Sequence, residues 1–454
     1  MLALLLAGIL QKISDILSAA GQQIWLPIFL FIIAVIFRAK PGRAFRAAII
    51  IGVGWIALGL VFNLFFGTMV PASQAMVNRT GLQFTAVDVG WPIMAAIAYG
   101  TMVGAAIIPV GIVVNLILLA AKLTKTFDID VWNFWHWAFV GGTVYTLTQN
   151  LPFAFLAAIT YEVMCLKVGD WTVKPLWDLF PGYKGYSIPQ GGGWVGSIPF
   201  IAIFKPLVDA VPTPKADPET VREKLGVLGE PLVIGLVLGA VIAILAGYGP
   251  LDIAKVAMAS AAVMELLPRV IGIIMEGLRA IADAVTEYMR TRFPGKEIYI
   301  GMDAAIAIGH PTTVAAGLIL IPIVLVIAAV FPGINVLPYA DLAATPFFVV
   351  AAVPFFKGDL IKSTIMGTII MIIWQYLGSW WVPIFTETAK SIGAIAPDAA
   401  PIGCIWLQPM IPVAVLASKL PEGANYLLLI IIIGIFLFAD RVKGLKEAFS
   451  KLYK

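Results

Sequence analysis

Apolar residues run along this chain in blocks of about 20, most of them closed by Lys or Arg, as in a chain that crosses a bilayer repeatedly. The first block, 24–37, ends in Arg38, Lys40, Arg43 and Arg46, and the second covers 47–66. A third apolar stretch, 91–121, is too long for one straight crossing, so its beginning is expected to be a half-helix or a broken segment. Blocks at 131–148 and 152–166 are followed by Lys167, Lys174 and Lys184. Next come Ser187-Ile-Pro-Gln-Gly-Gly-Gly-Trp194 and 195–204, each too short to cross, and the glycine run is not expected to stay helical. A re-entrant hairpin over 187–204 fits that pattern.

The one long polar stretch, 205–227, reads as a cytoplasmic linker. After it the order of features repeats within 228–417: blocks at 231–246 and 253–274, a broken block at 304–330, two more ending at Lys357 and 380, and a second Pro/Gly-rich hairpin at 400–417. The charged stretch 275–292 is expected to lie along the membrane surface. A last span and a basic cytoplasmic tail fill 418–454, and 1–20 reads as an interfacial amphipathic helix rather than a cleaved signal. The expected fold is therefore an all-α polytopic membrane protein with about 11 transmembrane helices and two hairpins. Repeats of five spans each (21–204 and 228–417) must run in opposite orientation, because five is odd.

Composition narrows the class. The chain is 61% hydrophobic and only 12% charged, with mean hydropathy +0.97, which excludes an ordinary soluble domain. The 30 basic residues lie at span ends rather than in one interleaved patch, so nucleic acid is not an expected partner. Cys165 and Cys404 stand alone in apolar stretches and imply neither disulfide nor metal. No nucleotide-binding, metalloprotease or nucleophile-elbow motif occurs, so no catalytic residue, metal or cofactor is expected on this chain.

Chemistry is expected where a carboxylate and a Gly-X-Pro break interrupt apolar surroundings. That happens at Asp88-Val-Gly-Trp-Pro92 and at Asp303-Ala-Ala-Ile-Ala-Ile-Gly-His-Pro311, in corresponding places of the two halves. Broken backbone at membrane depth is tolerated only against protein or a cavity, and paired interruptions point to a transporter's substrate site. Asp88 and Asp303 are candidate ligands for a polyol; the competing reading is that each merely caps the helix after it. His136 and Trp135, within Trp132-Asn-Phe-Trp-His-Trp137, read equally as a sugar-stacking wall or as an interfacial aromatic belt. His310 and Thr312 follow the second break. Gln190 offers donor and acceptor at the hairpin tip. Glu230 before Pro231 reads first as a charge at a helix N-terminus and second as a supporting contact. Glu162 lies inside a span, and Glu265 and Arg269 form an i, i+4 pair.

Several words, in order, resemble the galactitol-type membrane IIC subunit of the phosphoenolpyruvate-dependent sugar phosphotransferase system, in the ascorbate/galactitol superfamily. They include Val87-Asp-Val-Gly-Trp-Pro92, Ile129-Asp-Val-Trp-Asn-Phe-Trp-His136, Ser187-Ile-Pro189, Gly229-Glu-Pro231, Ile300-Gly-Met-Asp303 and Val336-Leu-Pro338. The resemblance implies a multi-pass inner-membrane homodimer with a cytoplasmic C-terminus. Its substrate-carrying core would move elevator-fashion, and separate IIA and IIB proteins would phosphorylate the imported sugar alcohol. It also implies substrate contacts at His136, at the residue after Ile188-Pro189, and at Asp303, with Asp88 and His310 as companions. That family usually has His after Ile-Pro; here the residue is Gln190, which keeps hydrogen bonding and loses any proton-sharing role. The alternative is an ion-coupled secondary transporter of a polar carbohydrate, with Asp303 or Asp88 binding a proton or sodium.

Overall fold

Proline starts and glycine stops define many of the helices. The computed structural model describes residues 22–81, 83–214, 230–292, 298–406 and 409–441. The expected amphipathic helix at 1–20, the linker beyond 214 and the basic tail beyond 441 lie outside those residues. Helix α1 (Gln22–Ile36) leads through a tight corner to α2 (Pro41–Thr80), with Pro41 in the first turn and Gly81 ending the helix at φ 68°. After the linker, α9 (Pro231–Leu245) and α10 (Pro250–Arg292) pack against this pair. These four helices form one bundle.

Helix α10 corrects one expectation. Its 43 residues continue without a break through the charged stretch that was expected to peel off along the surface. The reason is an apolar stripe, Val270, Ile274, Leu278 and Ile281, that stays buried well into the stretch. Gly277 lets α2 approach there, since a Cβ would meet the Ala47 carbonyl at 2.7 Å. Arg46 and Glu276 pair on the outer face at 3.5 Å. At about 1.5 Å per residue the helix is about 64 Å long, more than a hydrocarbon core.

Among the described residues the second body is built around six short strands. In chain order it holds β1 (Ala86–Asp88), α3 (Gly90–Gly100), α4 (Met102–Ala120), β2 (Thr126–Asp128), α5 (Phe134–Thr148), α6 (Leu151–Trp171), α7 (Val173–Leu179), β3 (Tyr186–Ser187) and α8 (Ile198–Asp209). The later half adds β4 (Tyr299–Gly301), α11 (Ala305–Ile308), α12 (Pro311–Val330), β5 (Val336–Leu337), α13 (Thr345–Val349), α14 (Ala352–Phe355), α15 (Leu360–Ser391), β6 (Ile402–Gly403), α16 (Met410–Ser418) and α17 (Ala424–Phe438). The expected breaks are present: the third apolar stretch divides at Thr101, whose hydroxyl caps α4 through Gly104 N–H, and the eighth divides at Gly309-His310. The glycine run departs from expectation, because Gly191–Val195 form a wide π-helical turn.

The strands are exchanged between halves. One three-stranded parallel sheet runs β5-β1-β6 and the other β2-β4-β3. Each half lends its first strand to the centre of a sheet whose outer strands belong to the other half. The registers agree: Ala86 pairs Val336 as Tyr299 pairs Thr126, and Asp88 pairs Gly403 as Gly301 pairs Ser187. Among the described residues five helices are long and apolar enough to cross a membrane, in Pro41–Val61, Leu151–Trp171, Pro311–Val330, Leu360–Ser391 and Ala424–Arg441, with shorter apolar helices beside them. The chain is a helical, polytopic membrane protein.

Candidate functional site

Each sheet ends in a knot of carboxylates, and the two knots differ. At the end of β1, Asp88 accepts four backbone N–H groups: Gly90 at 3.1 Å and Ile405 at 3.3 Å on Oδ1, Tyr339 at 3.2 Å and Asp341 at 2.8 Å on Oδ2. Asp341 in turn accepts Trp91 N–H at 2.9 Å and the Cys404 thiol at 3.1 Å. Every oxygen of this pair is engaged in holding three chain segments together, so the close grouping of Asp88, Asp341 and Cys404 is a structural clip.

The knot on the other sheet is open on one side. Asp130 Oδ2 accepts Asp303 N–H at 3.1 Å, Asp128 accepts the Asn133 amide, and Asp303 Oδ1 accepts Ala305 N–H at 2.7 Å. Asp303 then faces a cavity walled by Trp91, Trp132, Trp135, Gln190, Phe347 and Trp406. Trp91 is the hub of the wall, with its ring 5.9 Å from Trp132 and from Phe347 and 6.3 Å from Trp135 and Trp406. The cavity holds about 20 Å³, room for roughly one water.

The glycine turn brings the far wall close. A Cβ on Gly192 would run into the Trp406 indole, and one on Gly193 into the Phe347 carbonyl oxygen. Tyr161 holds the turn from outside by donating to Gly191 O at 2.5 Å. Gln190 opens the turn and its Oε1 accepts Trp194 N–H at 2.9 Å, which leaves the amide NH₂ to donate toward a ligand. The register shows why Trp406 belongs here: it lies three residues past Gly403 as Gln190 lies three past Ser187. One half supplies the amide, the other an indole.

A sequence profile described as the sugar-specific permease component of the phosphotransferase system (EIIC-GAT) matches residues 15–400. The chain belongs to this family. It is 36% identical over 395 residues to a protein of Escherichia coli (strain K12) provisionally named a permease IIC component, covering 86% of this chain and 90% of that one. It is 34% identical over 379 residues, 83% of either chain, to the galactitol-specific EIIC component of the phosphotransferase system from the same strain and from Escherichia coli O157:H7.

Within this EIIC chain the residues expected at the site fall in several places. Asp303, Gln190 and Trp135 line the cavity. His136 is fully buried one layer behind, its ring 3.8 Å from Trp135 and its Cβ under Gly191. Asp88 is tied into the closed knot, away from the cavity wall. His310 and Thr312 also lie outside that wall: His310 Nδ1 accepts Thr312 N–H at 3.2 Å to cap α12, and Thr312 Oγ1 donates to Gly358 O at 2.9 Å. Partial burial lowers the His310 imidazole below its ordinary value, which suits a neutral acceptor. Glu230 is exposed at the start of α9, in the other bundle. Trp91, Trp132, Phe347 and Trp406 were not singled out from sequence, nor was Asp130; only the strand register gives Trp406 a signal.

Proposed function

We propose that this chain imports a sugar alcohol, galactitol or a close relative, through the cavity at Asp303. The observation that carries this reading is the pairing of an acceptor-only carboxylate with a donor-only amide inside an aromatic box. Each hydroxyl of a polyol both donates and accepts, so Asp303 takes two donated protons while the Gln190 NH₂ supplies one. The C–H faces of the carbon chain lie against the indoles. Galactitol is the sugar alcohol for which two of the relatives are named.

The exchanged strands favour an inverted repeat of five spans per half, with about eleven spans in all. They also favour an elevator. Rocking one half against the other would tear β1 from β5 and β6, and β4 from β2 and β3. Moving the whole interlocked body along the bundle of α1, α2, α9 and α10 leaves both sheets intact. In this reading the bundle is the scaffold of a homodimer and the basic helix ends and C-terminus face the cytoplasm. A cavity with room for one water is a closed site, which widens to load a hexitol. Separate IIA and IIB proteins then phosphorylate the arriving substrate.

Radiolabelled galactitol offered to membrane vesicles loaded with phosphoenolpyruvate and the soluble partners tests the proposal. Phosphorylated hexitol inside, lost in Asp303→Asn, is the expected result. Unmodified hexitol inside, abolished by collapsing the ion gradient, would replace phosphorylation coupling with ion coupling. No uptake of any hexitol would remove the substrate assignment.

A further inference from the structure

Another cavity among the described residues is unrelated to the transport site. It holds about 840 Å³ in the corner where α1 turns into α2 beside the last turns of α10. Arg38, Lys40 and Arg43 line it from the corner, and Asp283 and Glu287 from α10. Nearby charges pair, as Arg46 does with Glu276, yet no ion pair joins these three cations to these two carboxylates. Arg38 lies instead over the Tyr288 ring, 6.0 Å from its centre, and holds a left-handed φ of 61°. Phe37, Ala44 and Ile281 give the cavity an apolar floor.

Opposite charges held apart across one cavity suit a ligand that carries both. We propose that this corner binds an aminophospholipid headgroup, phosphatidylethanolamine in kind, from the leaflet at the basic end of the helices. The phosphate lies among Arg38, Lys40 and Arg43, and the primary ammonium donates to Asp283 and Glu287. A purely anionic headgroup would satisfy the cations and meet two carboxylates. A choline headgroup carries no N–H to donate. The same hairpin also carries a track for a chain: an apolar groove of about 360 Å³ between α1 and α2, lined by Ile24, Ile28, Phe31, Phe45 and Ile49. Basic pockets between helices are established recognition sites for lipid headgroups; the two acidic groups here select among them.

The full-length protein, purified in detergent and stripped of lipid, is reloaded with phosphatidylethanolamine, phosphatidylcholine or phosphatidylglycerol at equal molar ratio, and retained lipid is read by native mass spectrometry. Phosphatidylethanolamine retained about tenfold above either competitor is expected, the value of one good charged hydrogen bond. Asp283→Asn with Glu287→Gln should bring it level with phosphatidylglycerol, and Arg38→Ala with Arg43→Ala should lower both. All four substituted residues are exposed, so the variants fold; the thermal midpoint of each checks that. Equal retention of the three lipids, preference for phosphatidylglycerol, or unchanged preference in the Asp283/Glu287 variant would each overturn the assignment.

Discussion

Replacing Gly192 by Ala adds one methyl group at the point where the hairpin meets the indole of Trp406. The added carbon falls well inside van der Waals contact with the ring. Except toward the cavity the indole is hemmed in: Trp374 stacks on it at 6.1 Å, Phe348 meets it edge-on at 5.4 Å, and Trp91 lies across it at 6.3 Å. Overpacking of this kind costs about 1–3 kcal/mol. Much of it is relieved by pushing Trp406 into the cavity, whose 20 Å³ has nothing to spare. The cost therefore falls mainly on ligand binding, and galactitol affinity drops by about 5- to 150-fold. Isothermal titration on the purified protein measures this, with the thermal midpoint as a check on folding. Gly309→Ala is the control, since a Cβ there meets nothing within 4 Å. Trp406→Phe on the Gly192→Ala background should recover part of the loss by shortening the ring. Wild-type affinity in Gly192→Ala, or equal losses in the two alanine variants, would refute the wall assigned to Trp406.

Asp303→Asn keeps an oxygen for Ala305 N–H and removes the charged acceptor, so affinity should fall about ten- to hundredfold with an unchanged thermal midpoint; unaltered affinity would take Asp303 out of the site. Asp88→Asn forces an NH₂ against the backbone N–H donors of the closed knot, so it should cost at least about 2 kcal/mol of stability while the folded fraction binds normally. Lost binding in a stable Asp88→Asn protein would make that residue a ligand after all. The lowered His310 value gives a sign for pH: the unfolded chain takes the proton first as pH falls through about 6.5, so this residue's contribution to stability is lost below that point. His310→Asn keeps an acceptor for Thr312 N–H and should lose less of its thermal midpoint between about pH 7.5 and about pH 5.5 than the native protein. Identical losses would exclude His310 as a source of that slope.

Much of this was legible in the sequence, because apolar blocks, their basic ends and their Gly/Pro breaks are local signals. The short helix that opens the third apolar stretch and the break at Gly309 were expected from length and from glycine; the break at Thr101 itself was not placed. The long course of α10 was not legible: its charges fix attention on one face, while the stripe of Val270, Ile274, Leu278 and Ile281 that holds it down needs α2 as a partner. Asp88 and Asp303 look alike in sequence and differ in structure for a similar reason. The strand register makes Asp88 the counterpart of Gly301, two residues before Asp303, so the first carboxylate turns into the knot and the second reaches the cavity. Nor can any local pattern announce Trp406, whose neighbours at Trp91, Trp135 and Gln190 lie more than 200 residues away along the chain.

The most direct test is a structure of the protein saturated with galactitol. The account predicts ligand density between Asp303 and the Gln190 amide, flanked by Trp91, Trp135 and Trp406, with the cavity enlarged and both three-stranded sheets intact. Galactitol bound away from that box, or a widened site in which β1 and β4 have left their partner strands, would contradict it.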